Sequence, residues 1–546
     1  MVDLREGCST SARERMGESL LKLFAPAEET LSAERALDAQ VSGIIREFLG
    51  SPQVNTTIAL ESLTEHFKRS KIPTEPGSIA GYLEYLADQV VAHSTNTSSP
   101  RFIGHMTSAL PYFMRPLSKL ILAMNQNLVK VETSKAMTPY ERQTLGMMHR
   151  LVYDFPGDFY QQYIQHSGST LGMITSGGTV ANITALWCAR NSSLQTADGF
   201  AGLGVEGLPA TLDFHGYQGA VIIGSSLMHY SFDKAAELLG IGTKGLIRIP
   251  VEPDNRVNLA ALRQAISDSR ARNQHIIAIV GMAGTTDSGA IDPLTEMAEI
   301  AGKEKIHFHV DAAWGGATLF SDRHRHKLAG IGRADSVTID GHKQLYLPMG
   351  IGLLLLRDPK AAQVIERHAR YIVRKGSSDL GKRTLEGSRP GMALLLHAAL
   401  SVIGYRGYGF LIDEGIRKTQ YMARSIRARQ EFELLIEPQI NILNYRYLPE
   451  ALREKARGRT LQASDHESIS RFNELLQKAQ RHAGQSFVSR TKLDASCYGK
   501  ATPLAALRAV IANPLTTESD IDAVLDEQVK IAAELARFSG TSSMAV

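Results

Sequence analysis

The stretch His309-Val310-Asp311-Ala312-Ala313-Trp314-Gly315-Gly316, with Asp340-Gly341-His342-Lys343 downstream, decides the fold. The apolar run Ile306 to Val310 leads into Asp311, and Ser336-Val337-Thr338-Ile339 leads into Asp340, three residues before Lys343. Short apolar runs bounded by polar and glycine residues read as buried strands. In open α/β sheets ligands bind at the carboxyl edge of the strands. A carboxylate and an amine are therefore expected on one sheet edge.

Three similar runs flank this pair: Ala220 to Ile223, Ile276 to Val280 and Ile351 to Leu356. Near-continuous apolar strands separated by helix-length segments predict a mainly parallel sheet covered on both faces, an α/β fold. Upstream, from Glu28 to about Val91, apolar residues recur at spacings of three and four, broken by Gly50-Ser51-Pro52 and by Pro73 to Gly77, which predicts a helical arm. Beyond about residue 395 helices return with a few strands, such as Gln439 to Arg446, then an amphipathic stretch from Ile521 to Leu535 and a frayed tail over 539–546. The expected organisation is 1–115, a helical arm with a substrate loop; 116–395, a large α/β domain; and 396–546, a small α+β domain.

Length and composition bound the possibilities. A chain of 546 residues, 43% hydrophobic and 21% charged, is an ordinary globular protein with more than one folding unit. No run approaches the ~18 apolar residues that span a bilayer. The first seven residues carry charges and no apolar core of a secretory signal, so a cytoplasmic setting is expected. Cys8, Cys188 and Cys497 are far apart and match no metal-ligand spacing. A net charge of +4 spread over 60 basic and 56 acidic residues leaves no basic block for nucleic acid.

The chemistry sits at the predicted strand ends. Thr175-Ser176-Gly177-Gly178-Thr179-Val180-Ala181-Asn182 opens a helix with small residues and free backbone N–H groups, a setting suited to a phosphate and equally to a plain helix cap. His229 follows the strand ending at Ile223; its flat ring could stack on an aromatic group or simply be a structural histidine. Thr285-Thr286 place hydroxyls after the strand ending at Val280, where a Ser/Thr turn is the alternative. Asp311 could cap a helix, and most lysines are solvated. Together, however, a phosphate cradle, a flat ring, a carboxylate and an amine are the parts that pyridoxal phosphate (PLP) requires: an acid for the ring nitrogen and a lysine for the aldehyde.

At these residues the chain resembles the group II PLP-dependent amino acid decarboxylases, over roughly Pro100 to Tyr408. The resemblance implies fold type I, the aspartate aminotransferase-like fold, and a homodimer with active sites at the subunit interface. It implies that Lys343 is the Schiff-base lysine, that Asp311 pairs with the ring nitrogen, and that Ala313 and His229 lie on opposite faces of the ring. Gly178, Thr179 and His342 would hold the phosphate, and Thr286 the ring hydroxyl region. Many relatives have Asn-Pro where this chain has Asp340-Gly341; a carboxylate beside a phosphate is unfavourable, so Asp340 takes no phosphate role.

Substrate choice is expected in the Pro100 to Ser108 loop. Relatives acting on aromatic amino acids resemble Pro-Tyr-Phe-Phe-Ala-Tyr-Phe-Pro there, whereas His105 and Thr107 stand in this chain. These favour an acidic side chain, and the region is most similar to the branch that converts aspartate to β-alanine and carbon dioxide. Glutamate stays open, because a pocket discriminates one methylene by only ~1–3 kcal/mol. The resemblance further implies Tyr371, in the polar segment Arg370 to Arg383, as proton donor, and Arg389 as the group that binds a substrate carboxylate. A different fold type I PLP enzyme, such as an aminotransferase, shares the Asp and Lys logic.

Overall fold

The computed structural model describes residues 17, 20, 21, 23, 24, 28–369, 374, 376–499 and 503–542. Residues 1–99 with 482–485 form one compact unit, and 100–481 with 486–546 form a second. The first is helical. It contains α1 (Glu28–Gly50) and two short helices, Leu60–His66 and Ile79–Tyr85. Ser78 caps the latter, its hydroxyl accepting from Gly81 N at 3.1 Å and so satisfying one of the donors a helix start leaves free. Val54 N donates to Gly484 O at 2.8 Å, which ties the 482–485 segment to this unit.

The second unit is built on a seven-stranded sheet. Its strands are β1 (Gly172–Thr175), β2 (Gly219–Ser225), β3 (Leu246–Ile249), β4 (Gln274–Met282), β5 (His307–Asp311), β6 (Ser336–Asp340) and β7 (Gly352–Leu356), in the spatial order β1-β7-β6-β5-β4-β2-β3. From β3 to β6 every pairing is parallel; β7 alone is reversed, antiparallel to both β6 and β1. Two reversals restore direction, so β1 runs with the others. The carboxyl ends of β1, β2, β4, β5 and β6 therefore share one edge. The predicted mainly parallel sheet is present, with β1 and β3 as strands that the apolar pattern does not mark.

Leu353, Leu354, Leu355 and Leu356 of β7 are all fully buried, because the sheet is covered on both faces. Each such side chain contributes about 1.5–3 kcal/mol of burial, and truncating one to alanine costs about 2–5 kcal/mol. On one face lies α2 (Gly178–Ser193), whose Ala181, Ile183, Ala185, Leu186 and Ala189 are buried. α3 (Gly404–Ala428) instead buries a stripe that includes Tyr408, Ile412, Ile416, Thr419, Met422 and Ile426, the three-and-four spacing of an amphipathic helix. Gly352 has no side chain because a Cβ there would lie 2.5 Å from the carbonyl carbon of Gly177; this close approach seats the β1–α2 turn against β7.

A second, antiparallel sheet has the order β10-β11-β9-β8, with β8 (Phe432–Ile436), β9 (Ile442–Tyr447), β10 (Ser489–Leu493) and β11 (Leu504–Val510). The chain closes on α4 (Glu518–Ser542), so residues 539–542, expected as frayed tail, are helical. Among the described residues no single helix is long and apolar enough to cross a membrane.

Candidate active site

The shared strand edge opens into a cavity of about 510 Å³. Gly178, Thr179, His229, Thr286, Asp311, Ala313, His342 and Lys343 all line it, as do His105 and Thr107. The first eight arrive by the same local rule: an apolar strand stops, and the residues at or just past its end stand at the edge. Gly178 opens α2 directly after β1. Its N-cap, Gly177, makes no side-chain cap, which leaves the first-turn N–H groups free for an anion.

Asp311 is buried, with Oδ1 accepting from Ala313 N at 3.0 Å and Oδ2 from Asn182 Nδ2 at 2.9 Å. Burial holds the His229 imidazole below its ordinary range, opposed by the Asp311 carboxylate, so the neutral ring prevails near pH 7. Its Nδ1 accepts from Ser231 N at 3.2 Å.

Around Lys343, Asp340 carries more than its neighbours' side chains satisfy. His342 Nδ1 lies 3.0 Å from Asp340 Oδ1, and Lys343 Nζ 3.7 Å from Asp340 Oδ2. The first contact has ion-pair distance without hydrogen-bond alignment, so Asp340 Oδ1 and His342 Nδ1 are both buried and unsatisfied. A Cβ on Gly178 would meet Asp340 Oδ2 at 3.0 Å, which puts this carboxylate against the helix start. An orphaned His342 Nδ1 beside an uncapped helix terminus suits a phosphate-bearing group, and the amine and Asp311 supply partners for an aldehyde and a ring nitrogen. The donor set fits PLP.

The segment from Pro100 is drawn to the cavity by backbone pairing. Ile103 N donates to Phe487 O at 3.0 Å, Val510 N donates to Ile103 O at 2.6 Å, and Phe102 stacks on Phe487 with ring centroids 5.1 Å apart. His105 then reaches the cavity, Nδ1 lying 3.0 Å from Thr107 Oγ1. Its imidazole is held below the ordinary range by burial first, then by the charges of Arg508, Lys343 and His342.

Arg508 is the group that the sequence reading missed. It lies on β11 opposite Ser489, the residue whose backbone abuts Gly104, and it lines the cavity. Its Nε is buried without a hydrogen-bond partner, and among the described residues no carboxylate stands within ion-pair distance. The one local signal was an arginine inside the apolar run Leu504 to Val510. Arg389, the expected carboxylate binder, is a correction. Its Nη1 donates to Glu141 Oε2 at 2.7 Å and its Nη2 to Glu141 Oε1 at 2.5 Å, and both residues line a different cavity. A guanidinium whose fork is occupied by a buried carboxylate cannot offer that face to a substrate, and Arg389 does not line the cavity of Lys343. Tyr371 lies outside the described residues. Asn182, unmarked by the sequence reading, also lines the site.

Comparison with known proteins places this geometry. The conserved domain described as pyridoxal-dependent decarboxylase matches residues 64–448. An aspartate 1-decarboxylase of Aliivibrio fischeri is 46% identical over 94% of this chain and 94% of its own length. An L-2,4-diaminobutyrate decarboxylase of Acinetobacter baumannii is 28% identical over 70% of this chain and 74% of its own. Among solved structures, mouse CSAD superposes with a TM-score of 0.78 at 25% identity, covering 91% of this chain and 98% of that one.

Proposed function

Because the chain belongs to the pyridoxal-dependent decarboxylase family, we propose that it removes the α-carboxylate of L-aspartate to give β-alanine and carbon dioxide. The observation that carries the substrate is the near full-length similarity to an aspartate 1-decarboxylase, supported by a cavity that His105, Thr107 and Arg508 line together with Lys343.

In this reading Lys343 holds PLP through its aldehyde and Asp311 holds the proton on the ring nitrogen. Gly178, Thr179 and His342 hold the phosphate, Thr286 the ring hydroxyl region, and His229 and Ala313 the two faces of the ring. When bound, PLP supplies the electron sink for the bond that breaks. Arg508, whose buried Nε has no hydrogen-bond partner and which feels the Asp287 carboxylate without an ion pair to it among the described residues, takes one substrate carboxylate in a bidentate pair, and His105 with Thr107 orients the other. Tyr371 returns the proton to the α-carbon. A homodimer and a cytoplasmic setting belong to the same reading. Leu120, Leu122, Val402 and Phe410 are apolar and half or more exposed in the single chain, as residues that a second copy would cover are. Cys188 and Cys497 are free thiols.

The test is a product assay with added PLP on aspartate, glutamate, 2,4-diaminobutyrate, tyrosine and cysteine sulfinate. Aspartate should give β-alanine with the highest kcat/KM. Turnover of tyrosine alone, or of none of the five, would overturn the proposal.

A further inference from the structure

Behind Asp311 runs a line of buried polar groups whose donors and acceptors can be assigned one after another. A carboxylate only accepts, so the 2.9 Å contact from Asn182 Nδ2 to Asp311 Oδ2 is an N–H donation. The second hydrogen of that amide goes to Ser231 Oγ at 3.0 Å. Asn182 Oδ1 must then accept, and the group it meets is His309 Nε2 at 3.0 Å. The hydrogen of His309 is therefore on Nε2, which leaves Nδ1 to accept from Ser336 Oγ at 2.9 Å. The Ser336 oxygen in turn accepts from His307 Nε2 at 2.8 Å.

The fold makes this line possible. His309 and Asp311 are two apart on β5 and so face the same side of the sheet. Ser336 pairs with His309 in the β5–β6 register, and Asn182 stands on α2, the helix that covers that face. Asn182, His309, Ser336 and Ser231 are all essentially inaccessible. Burial pulls the His309 imidazole down to about 3, so the ring is neutral at any pH the protein meets and the line keeps one arrangement of hydrogens. A flipped Asn182 amide would set its oxygen against Asp311 and its nitrogen against the N–H of His309, losing both contacts.

We propose that Asn182 and His309 are positioning residues: by holding Asp311 as an acceptor in one orientation, they set how fully the ring nitrogen of the bound cofactor is protonated. This rests on the PLP reading above. It assigns to an asparagine and a histidine a role exerted through Asp311.

The test is nitrogen NMR of holoenzyme loaded with PLP isotope-labelled at the ring nitrogen, alongside steady-state kinetics. The wild-type signal should be that of a protonated ring nitrogen. Asn182→Leu, which keeps the volume and removes the donor, should move the signal towards the unprotonated position and lower kcat about 10- to 100-fold, with KM changed by no more than about twofold. His309→Gln, whose amide can still donate to Asn182, should stay near wild type in both. Should Asn182→Leu fail to fold, Ser336→Ala removes only the donor to His309 Nδ1 and must shift the signal in the same direction. A nitrogen signal unmoved in the folded variants overturns the proposal. Failure of the wild-type protein to take up PLP would instead overturn the functional reading on which it rests.

Discussion

Arg389 and Glu141 form a two-pronged ion pair, Nη1 to Oε2 at 2.7 Å, with side chains only 8% and 1% exposed. Removing one partner leaves the other charged in a dry interior, a loss of about 3–5 kcal/mol. Glu141→Ala should therefore lower the urea midpoint sharply while the surviving folded protein keeps its KM for substrate. An unchanged midpoint, or a raised KM at unchanged stability, would return Arg389 to the substrate site.

Lys343→Ala removes the amine that would hold the aldehyde. The visible absorbance of the PLP-loaded protein and its turnover should both disappear while the far-UV circular dichroism stays as in wild type. Retention of both signals would end the PLP account of this cavity.

Arg508→Met keeps length and loses the guanidinium. Charge-assisted hydrogen bonds contribute about 1.5–3 kcal/mol, so kcat/KM for aspartate should fall about 10- to 100-fold, with the cofactor absorbance in place. Arg508→Lys should recover little, because an ammonium cannot reproduce the fork. Wild-type kinetics in Arg508→Met would remove this residue from the substrate site.

Asp340 faces His342 at 3.0 Å and Lys343 at 3.7 Å, at the helix start that would receive the phosphate. Asp340→Asn takes a negative charge from that end of the cavity. PLP should bind more tightly, by about tenfold or ~1.4 kcal/mol at low ionic strength, and the gain should shrink as salt is added. Titration of apoprotein with PLP measures it; weaker binding in Asp340→Asn would mean that the carboxylate helps rather than opposes the anion.

His149 is fully buried between Tyr160, whose hydroxyl lies 3.1 Å from Nδ1, and the carbonyl of Leu356, 3.1 Å from Nε2. Burial pulls its imidazole down to about 4. With the folded value below the unfolded value of about 6.5, the unfolded chain takes up the proton first. The stability from the neutral ring is complete above about pH 6.5 and is lost as pH falls towards 4, on the order of 3 kcal/mol over that window. His149→Gln does not titrate, so its stability should decline less steeply between pH 6.5 and 4 than that of wild type. Parallel curves for the two proteins would contradict this assignment.

Strand ends were legible in the sequence because they are local: an apolar run stops and a polar residue follows, as at Asp311 and at Lys343 beyond Asp340. That pattern brought His229 and Thr286 to one edge on paper, the family resemblance added Ala313, Gly178 and Thr179, and all of them line one cavity in the fold. Direction was not legible, since the leucines of β7 look like any buried strand whichever way it runs. Nor was the partner of a charge. Glu141 lies 248 positions from Arg389, and nothing near either marks them as a pair. Arg508 sits among alanines and leucines, and only the β10–β11 register beside Gly104 brings it to Lys343's cavity. The sequence by itself thus marked β2, β4, β5, β6 and β7 and the polar residues at their ends, Asp311 and Lys343 among them, because hydrophobic patterning acts over a few residues. Strand order, the pairing of Arg389 with Glu141, the presence of Arg508 in the cavity of Lys343 and the hydrogen direction from His309 through Asn182 to Asp311 were decided by the tertiary structure, because each depends on which distant groups burial forces to satisfy one another.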